Sequence, residues 1–230
     1  MSDRKRPLII AHRGFSGKHP ENTIEAIEAA IGLGVDMVEI DLQETKDGRL
    51  IAFHDFGLKR LCGVRGWVRE TTLTQIRALN PAVPTFRQVL NRCRGRTRLL
   101  VEIKKANPAM VAAEIAGAGM ERDVVVFSLT TKLTAIFAGC SPEVMRAGLI
   151  ARRLWSTLKT VRSTVPVQAV GVNRTLIASR ATVDRLHDEG LKVFVWTVDE
   201  EAEMAHLADW GVDGLITNWP DKALGVAGNL

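Results

Sequence analysis

The segment "RLLVEIKKANPAMVAAEIAGAGMERDVVVFS", residues 98–128, reads as strand, helix and strand in succession. RLLVEIK (98–104) and DVVVFS (123–128) are short, β-rich apolar runs, and the stretch over about 108–118 between them has helical patterning. Such a unit places two strands parallel and joins them by a right-handed crossover that lays the helix against the sheet. Within the first run, Glu102 and Lys104 are two residues apart and share one side of the strand.

The rhythm continues in both directions. Upstream, PLIIAH ends at His12, and a helix is expected over about Asn22 to Leu33 with an apolar stripe of Ile24, Ile27, Ala30 and Ile31. Asn22 followed by Glu25 reads as its N-terminal cap. DMVEIDL (36–42) is the next strand, and KDG (46–48) turns the chain back into RLIAFHD (49–55). Residues 56–85 break the alternation: they are rich in glycine and charge, hold a short helix near 74–79 and offer too few apolar residues for a core of their own. A helix at 85–93 leads into the quoted unit. Beyond it come a helix at 131–138, VMRAGLI (144–150), a helix at 151–163, QAVGVN (168–173), a helix at 179–189, KVFVWTV (192–198), a helix at 200–209 and DGLIT (213–217). The principal strands number eight, each but the last followed by a helix. At 230 residues, the simplest closure is an α/β fold, a (β/α)8 TIM barrel with a small insertion (about 56–85) after strand 2, spanning 1–230 as a single domain. A doubly wound open sheet is the competing topology, but no GxGxxG loop follows the first strand.

Composition narrows the class. Hydrophobic residues make up 46% and charged residues 25%, as in an ordinary globular protein. No apolar run approaches the roughly 18 residues of a membrane span, and the N-terminal MSDRKRPLII lacks a secretory apolar segment and cleavage site, so the expected location is cytoplasmic. The cysteines Cys62, Cys93 and Cys140 are widely spaced with no CxxC pair, which argues against a disulfide framework or a structural zinc site. The net charge of +5 is concentrated in stretches such as 87–98 and 151–162, where arginines alternate with apolar residues at helical spacing. They read as solvated helix faces, and no nucleic-acid partner is expected.

In a barrel of this kind chemistry sits at the C-terminal ends of the strands. His12 and Arg13 end the first strand, Glu39 and Asp41 share a face of the second, and His54 ends the return strand. Glu102 and Lys104 end the third, and Trp196 lies near the end of the seventh. Taken singly, His12 is an ordinary core histidine and Glu102–Lys104 a strand-end ion pair. Together, Glu39, Asp41 and Glu102 would repel one another in the barrel mouth unless a cation neutralised them. All-oxygen ligands suit Mg²⁺ or Ca²⁺, with Mn²⁺ a further candidate, rather than zinc. Two histidines supply an acid and a base near neutral pH, and Arg13 and Lys104 offer donors to a phosphate. The set describes phosphodiester cleavage.

These residues fall in AHRG and PENT (11–14, 20–23), EIDLQETKDGRLIAFHD (39–55) and VEIK (101–104), with FVWTVD (194–199) and GVDGLITNWPD (211–221) near the end. In that order they closely resemble the glycerophosphodiester phosphodiesterase family. The resemblance implies a barrel with a small insertion after strand 2 and a metal-dependent hydrolase that releases glycerol 3-phosphate from a small-molecule glycerophosphodiester. It implies Glu39, Asp41 and Glu102 as ligands of one divalent metal, His12 and His54 as the acid/base pair, Arg13 and Lys104 as phosphate contacts, and Trp196 against the glycerol end. Glu21 and Asn22 are expected to hold the first loop against the first helix, and Asp55 and Glu44 to be loop or supporting groups. The alternative is a lysophospholipase D acting at a membrane surface, for which Phe56, Leu58, Leu61 and Trp67 are the candidate peripheral contacts. Head group, preferred metal, the nucleophile (water or the neighbouring glycerol hydroxyl), the order of the two histidines and the oligomeric state are not set by these motifs.

Overall fold

Alternating apolar runs become a closed sheet wrapped by helices. A computed structural model describes residues 6–228. Its strands are β1 (Leu8–His12), β2 (Met37–Glu44), β3 (Leu50–Ala52), β4 (Arg98–Lys105), β5 (Val124–Ser128), β6 (Met145–Ile150), β7 (Ala169–Asn173), β8 (Lys192–Trp196) and β9 (Gly214–Thr217). The sheet runs β1-β9-β8-β7-β6-β5-β4-β2, and β1 pairs again with β2, so every strand but β3 belongs to a parallel closed ring. β3 lies antiparallel on the far end of β2, with Leu42 opposite Ala52.

The helices are α1 (Ile24–Gly32), α2 (Lys59–Cys62), α3 (Leu73–Leu79), α4 (Phe86–Cys93), α5 (Pro108–Ala116), α6 (Thr131–Cys140), α7 (Leu154–Thr164), α8 (Arg180–Asp188), α9 (Glu201–Asp209) and α10 (Pro220–Ala227). Strand alternation sorts the core. Ile9 and Ala11 face the helices, whereas Ile10 faces inward with Met37, Leu100, Phe127, Phe194 and Ile216. The barrel interior is tight: a Cβ at Gly214 would stand 2.8 Å from the Phe194 ring, so only glycine fits there. A smaller core of Ile51, Phe53, Leu58, Val68, Ile76 and Val83 roots the segment inserted between β3 and α4.

Three expectations are corrected. The last strand is followed by a helix after all: Pro220 opens α10 at the first helical position, where a missing N–H is harmless. The return strand stops at Ala52, which leaves His54 in the loop beyond it. The cap of α1 is Thr23, whose side chain accepts from the Ala26 N–H, and Asn22 does something else.

Candidate active site

The carboxylates come from two adjacent strands. Glu39 and Asp41 project from one face of β2, and Asp41 sits in register with Glu102 on β4. They are 2%, 1% and 7% exposed, and one oxygen from each lies within 4.8 Å of the others. Burial, and then the neighbouring Asp41 charge, push the Glu39 carboxyl well above its ordinary range. Glu102 is raised by burial too, against the pull of Lys104. Burial also opposes ionisation of Asp41, but Lys104 and Arg13 outweigh it and hold its carboxyl down. Lys104 stands among them, with Nζ 2.8 Å from Glu102 Oε2 and 3.3 Å from Asp41 Oδ1. Three carboxylates thus face two cations, Lys104 and Arg13, and three convergent buried carboxylates suit the coordination chemistry of a hard divalent cation.

The β1–α1 loop closes over this cluster in an unusual backbone. Arg13 and Asn22 both have φ near +57°, and Gly14 follows at +79°. Positive φ in a residue with a side chain costs on the order of 1–3 kcal/mol and persists where the surroundings impose it. Gly14 has no alternative, because a Cβ there would lie 2.6 Å from the Ala26 carbonyl carbon. What the strain accomplishes is visible in the bonds. The Arg13 N–H donates to Glu39 Oε2 at 3.0 Å. Asn22 grips Asp41 twice: Nδ2 donates to Oδ2 at 2.9 Å and Oδ1 accepts from the Asp41 N–H at 3.1 Å. The Arg13 guanidinium spans Glu21 (Nη1, 3.0 Å) and Asp41 (Nε, 3.1 Å, an ion pair without hydrogen-bond alignment).

The histidines are held from behind by different partners. His12 Nδ1 lies 2.8 Å from Asn218 Oδ1. Asn218 Nδ2 donates to Asp199 Oδ2, which assigns Oδ1 as the acceptor, places the His12 proton on Nδ1 and leaves Nε2 as a lone pair 3.9 Å from Glu39. Burial, helped by the Arg13 charge, pushes the His12 ring down to about 4. It is a neutral acceptor at pH 7. His54 Nδ1 instead meets Asp55 Oδ1 at 2.8 Å. Arg60 clamps that carboxylate through Nε (2.7 Å) and Nη2 (2.8 Å) and is itself bidentate to Glu21.

Opposite β2 and β4, the Trp196 indole N–H at the end of β8 is buried and has no hydrogen-bond partner. A cavity of about 190 Å³ is lined by His12, Arg13, Glu39, His54, Glu102, Lys104 and Trp196, with Phe127, Leu129, Leu149 and Ile216 forming an apolar side. So the catalytic, metal and substrate residues singled out from the sequence line one cavity, except Asp41, which is buried among Arg13, Lys104 and Asn22. Arg13 and Lys104 turn out to be counter-ions of the carboxylates as well as cavity-lining cations. Sequence reasoning missed Asn218 and Asp199, which lie some 200 residues from the histidine they orient, and gave Asn22 a cap's role. The one local signal was Asn22 itself, since asparagine is the residue besides glycine that most readily takes positive φ.

The model of the glycerophosphoryl diester phosphodiesterase family matches residues 12–222. A glycerophosphodiester phosphodiesterase of Bacillus subtilis is 31% identical over 94% of this chain and 85% of its own length. Among solved structures, a glycerophosphodiester phosphodiesterase from Agrobacterium tumefaciens superposes with a TM-score of 0.83 at 26% identity, covering 95% of this chain and 99% of that one. An Oleispira antarctica phosphodiesterase in complex with the product sn-glycerol-3-phosphate shares the fold at 20% identity, with a TM-score of 0.83 and 97% of each chain covered.

Proposed function

Because the chain belongs to the glycerophosphoryl diester phosphodiesterase family, we propose that it hydrolyses a glycerophosphodiester to sn-glycerol 3-phosphate and a free alcohol, acting in the cytoplasm as one domain. The observation that carries this reading is one cavity lined by Glu39, Glu102, His12 and His54, with the buried Asp41 carboxylate within 4.8 Å of those of Glu39 and Glu102 and each histidine Nδ1 already engaged from behind. Glu39, Asp41 and Glu102 would hold a divalent cation, with Mg²⁺, Ca²⁺ and Mn²⁺ the candidates. Bound there, such an ion would supply Lewis-acid stabilisation of charge on the phosphate.

The chain's own groups supply the rest. Lys104 and Arg13 neutralise the phosphate, and Trp196 offers its unpaired N–H to a glycerol hydroxyl on the apolar side of the cavity. His12, neutral and with Nε2 free, accepts the proton of the nucleophile as its oxygen bonds to phosphorus. His54, with Asp55 behind it to fix the tautomer and counter a positive ring, gives its proton to the alcohol oxygen as that P–O bond breaks. Water serves as nucleophile directly. The neighbouring glycerol hydroxyl would serve through a cyclic phosphate that water opens with the two histidines in exchanged roles. Either route consumes one water; on the direct route the proton then returns from His12 to His54 through solvent, whereas on the cyclic route the second step itself restores both rings.

The test is release of glycerol 3-phosphate from a panel of glycerophosphodiesters with and without EDTA. Release that stops on chelation and returns with Mg²⁺, Mn²⁺ or Ca²⁺ supports the reading. Undiminished turnover in excess EDTA removes the metal from it. Release of lysophosphatidic acid from a lysophospholipid, with none of glycerol 3-phosphate, would make the enzyme a lysophospholipase D instead.

A further inference from the structure

Resting on that reading, we infer that a second cavity beside the site is the subsite for the departing alcohol and that it selects alcohols carrying negative charge. This cavity, about 280 Å³, is bounded by Gln43, Phe56, Trp67, Arg69 and Lys105. A more open depression of about 570 Å³ adjoins both: Lys104 is common to that depression and the catalytic cavity, and Arg69 and Lys105 are common to the depression and the outer cavity.

Direction follows from the barrel. Glycerol held at Trp196 lies at β8, whereas the carboxylates lie on β2 and β4, across the ring in the order of strands. The other arm of a phosphodiester bound between them leaves over β2 and β4, where Gln43 and Lys105 face each other in register. Gln43 is anchored there, its Nε2 donating to the carbonyls of His54 and Asp55. The departing oxygen thus emerges beside His54, the proposed proton donor, and the rest of the alcohol extends between the half-exposed rings of Phe56 (53%) and Trp67 (52%).

Charge along this route has one dominant sign. Lys46 and Lys105 make no ion pair among the described residues, and Arg69 meets only its exposed sequence neighbour Glu70, at 3.2 Å. The acid lining the depression, Glu44, has an oxygen held by the Asn107 N–H. An aromatic site for a quaternary ammonium would need electron-rich rings free of neighbouring cations. Here Arg69 and Lys105 line the same cavity as the rings, so choline is repelled while a phosphate or carboxylate on the alcohol is drawn in, and the rings cover its carbon skeleton.

The experiment compares kcat/KM for glycerophosphocholine, glycerophosphoglycerol and bis(glycerophospho)glycerol, whose departing alcohols are cationic, neutral and anionic. At low ionic strength the anionic alcohol should be preferred over the cationic one by on the order of tenfold, and about 0.5 M NaCl should compress the ratio. Charge reversal by Lys105→Glu with Arg69→Glu should collapse or invert the preference, whereas Lys105→Arg with Arg69→Lys should keep it. Both side chains are exposed, and should the double reversal still fail to fold, Lys105→Glu alone must shift the ratio the same way. Equal use of the three substrates, or a ratio untouched by charge reversal, overturns the subsite and leaves the phosphodiesterase reading standing. No glycerol 3-phosphate from any of them overturns both.

Discussion

Two histidines face one cavity, but an amide stands behind His12 and a carboxylate behind His54. Their roles should separate experimentally. Replacing either by alanine should lower kcat by about 10²–10⁴, the usual worth of a placed proton-transfer group. A nitrophenol leaving group needs little protonation, so it should restore His54→Ala and leave His12→Ala impaired. Restoration of His12→Ala instead would reverse the assignment. Asn218→Ala leaves both rings in place but frees His12 to rotate, and kcat should fall roughly 10–100-fold with KM little changed. Asp55 and Glu21 give a separate pH signature. The Arg60 hydrogen bonds hold Asp55 below the usual carboxylate range, and at Glu21 Arg60 and Arg13 outweigh burial to do the same. A folded-state value below the unfolded one stabilises the fold above about pH 4 and is lost as pH falls through the lower values. Wild-type thermal stability should therefore drop on going from neutral pH into this acid range. Arg60→Gln should drop less, by about 2–4 °C, since the network is partly solvent-screened.

Among elements, the inserted segment is the one whose packing reaches the chemistry. Its small core fixes α2, and α2 carries Arg60, which steadies Asp55 behind His54. Ile76→Ala within that core and Leu186→Ala under α8 each remove a fully buried side chain. Both should cost about 2–5 kcal/mol and lower Tm by roughly 5–15 °C. Ile76→Ala should lower kcat measured well below its Tm more than Leu186→Ala does, because the core around Ile76 seats the helix that carries Arg60. The same contrast explains what could be read from the chain beforehand. Strand–helix alternation and the two-residue spacing of Glu39 with Asp41 and of Glu102 with Lys104 are local, so periodicity exposes them. The inserted segment's α2 has few residues and no periodic face, and the start of α10 is hidden behind a proline that also reads as a stop. Asn22 suits both a helix cap and a positive-φ turn, and only the position of Asp41 decides between them.

For the whole molecule, the proposed metal site would couple folding to cation binding. A cation that binds only the native barrel stabilises it, by about 2.7 kcal/mol at a hundred times its Kd. Titrating Mg²⁺, Mn²⁺ or Ca²⁺ should raise Tm of the wild type, and Asp41→Asn should blunt that rise while preserving the melting transition itself. A wild-type Tm indifferent to all three ions would count against the ligand set. The ring closes where β1 is inserted between β2 and β9, and the bond from His12 to Asn218 crosses that seam over 206 positions. During synthesis, a nascent chain with everything up to α8 outside the ribosome already carries both histidines and all three carboxylates, yet the anchor of His12 is still in the exit tunnel. Full hydrolysis should therefore await that last strand and its anchor, and a single protease cut that sheds β9 should cripple the enzyme while sparing both histidines and all three carboxylates.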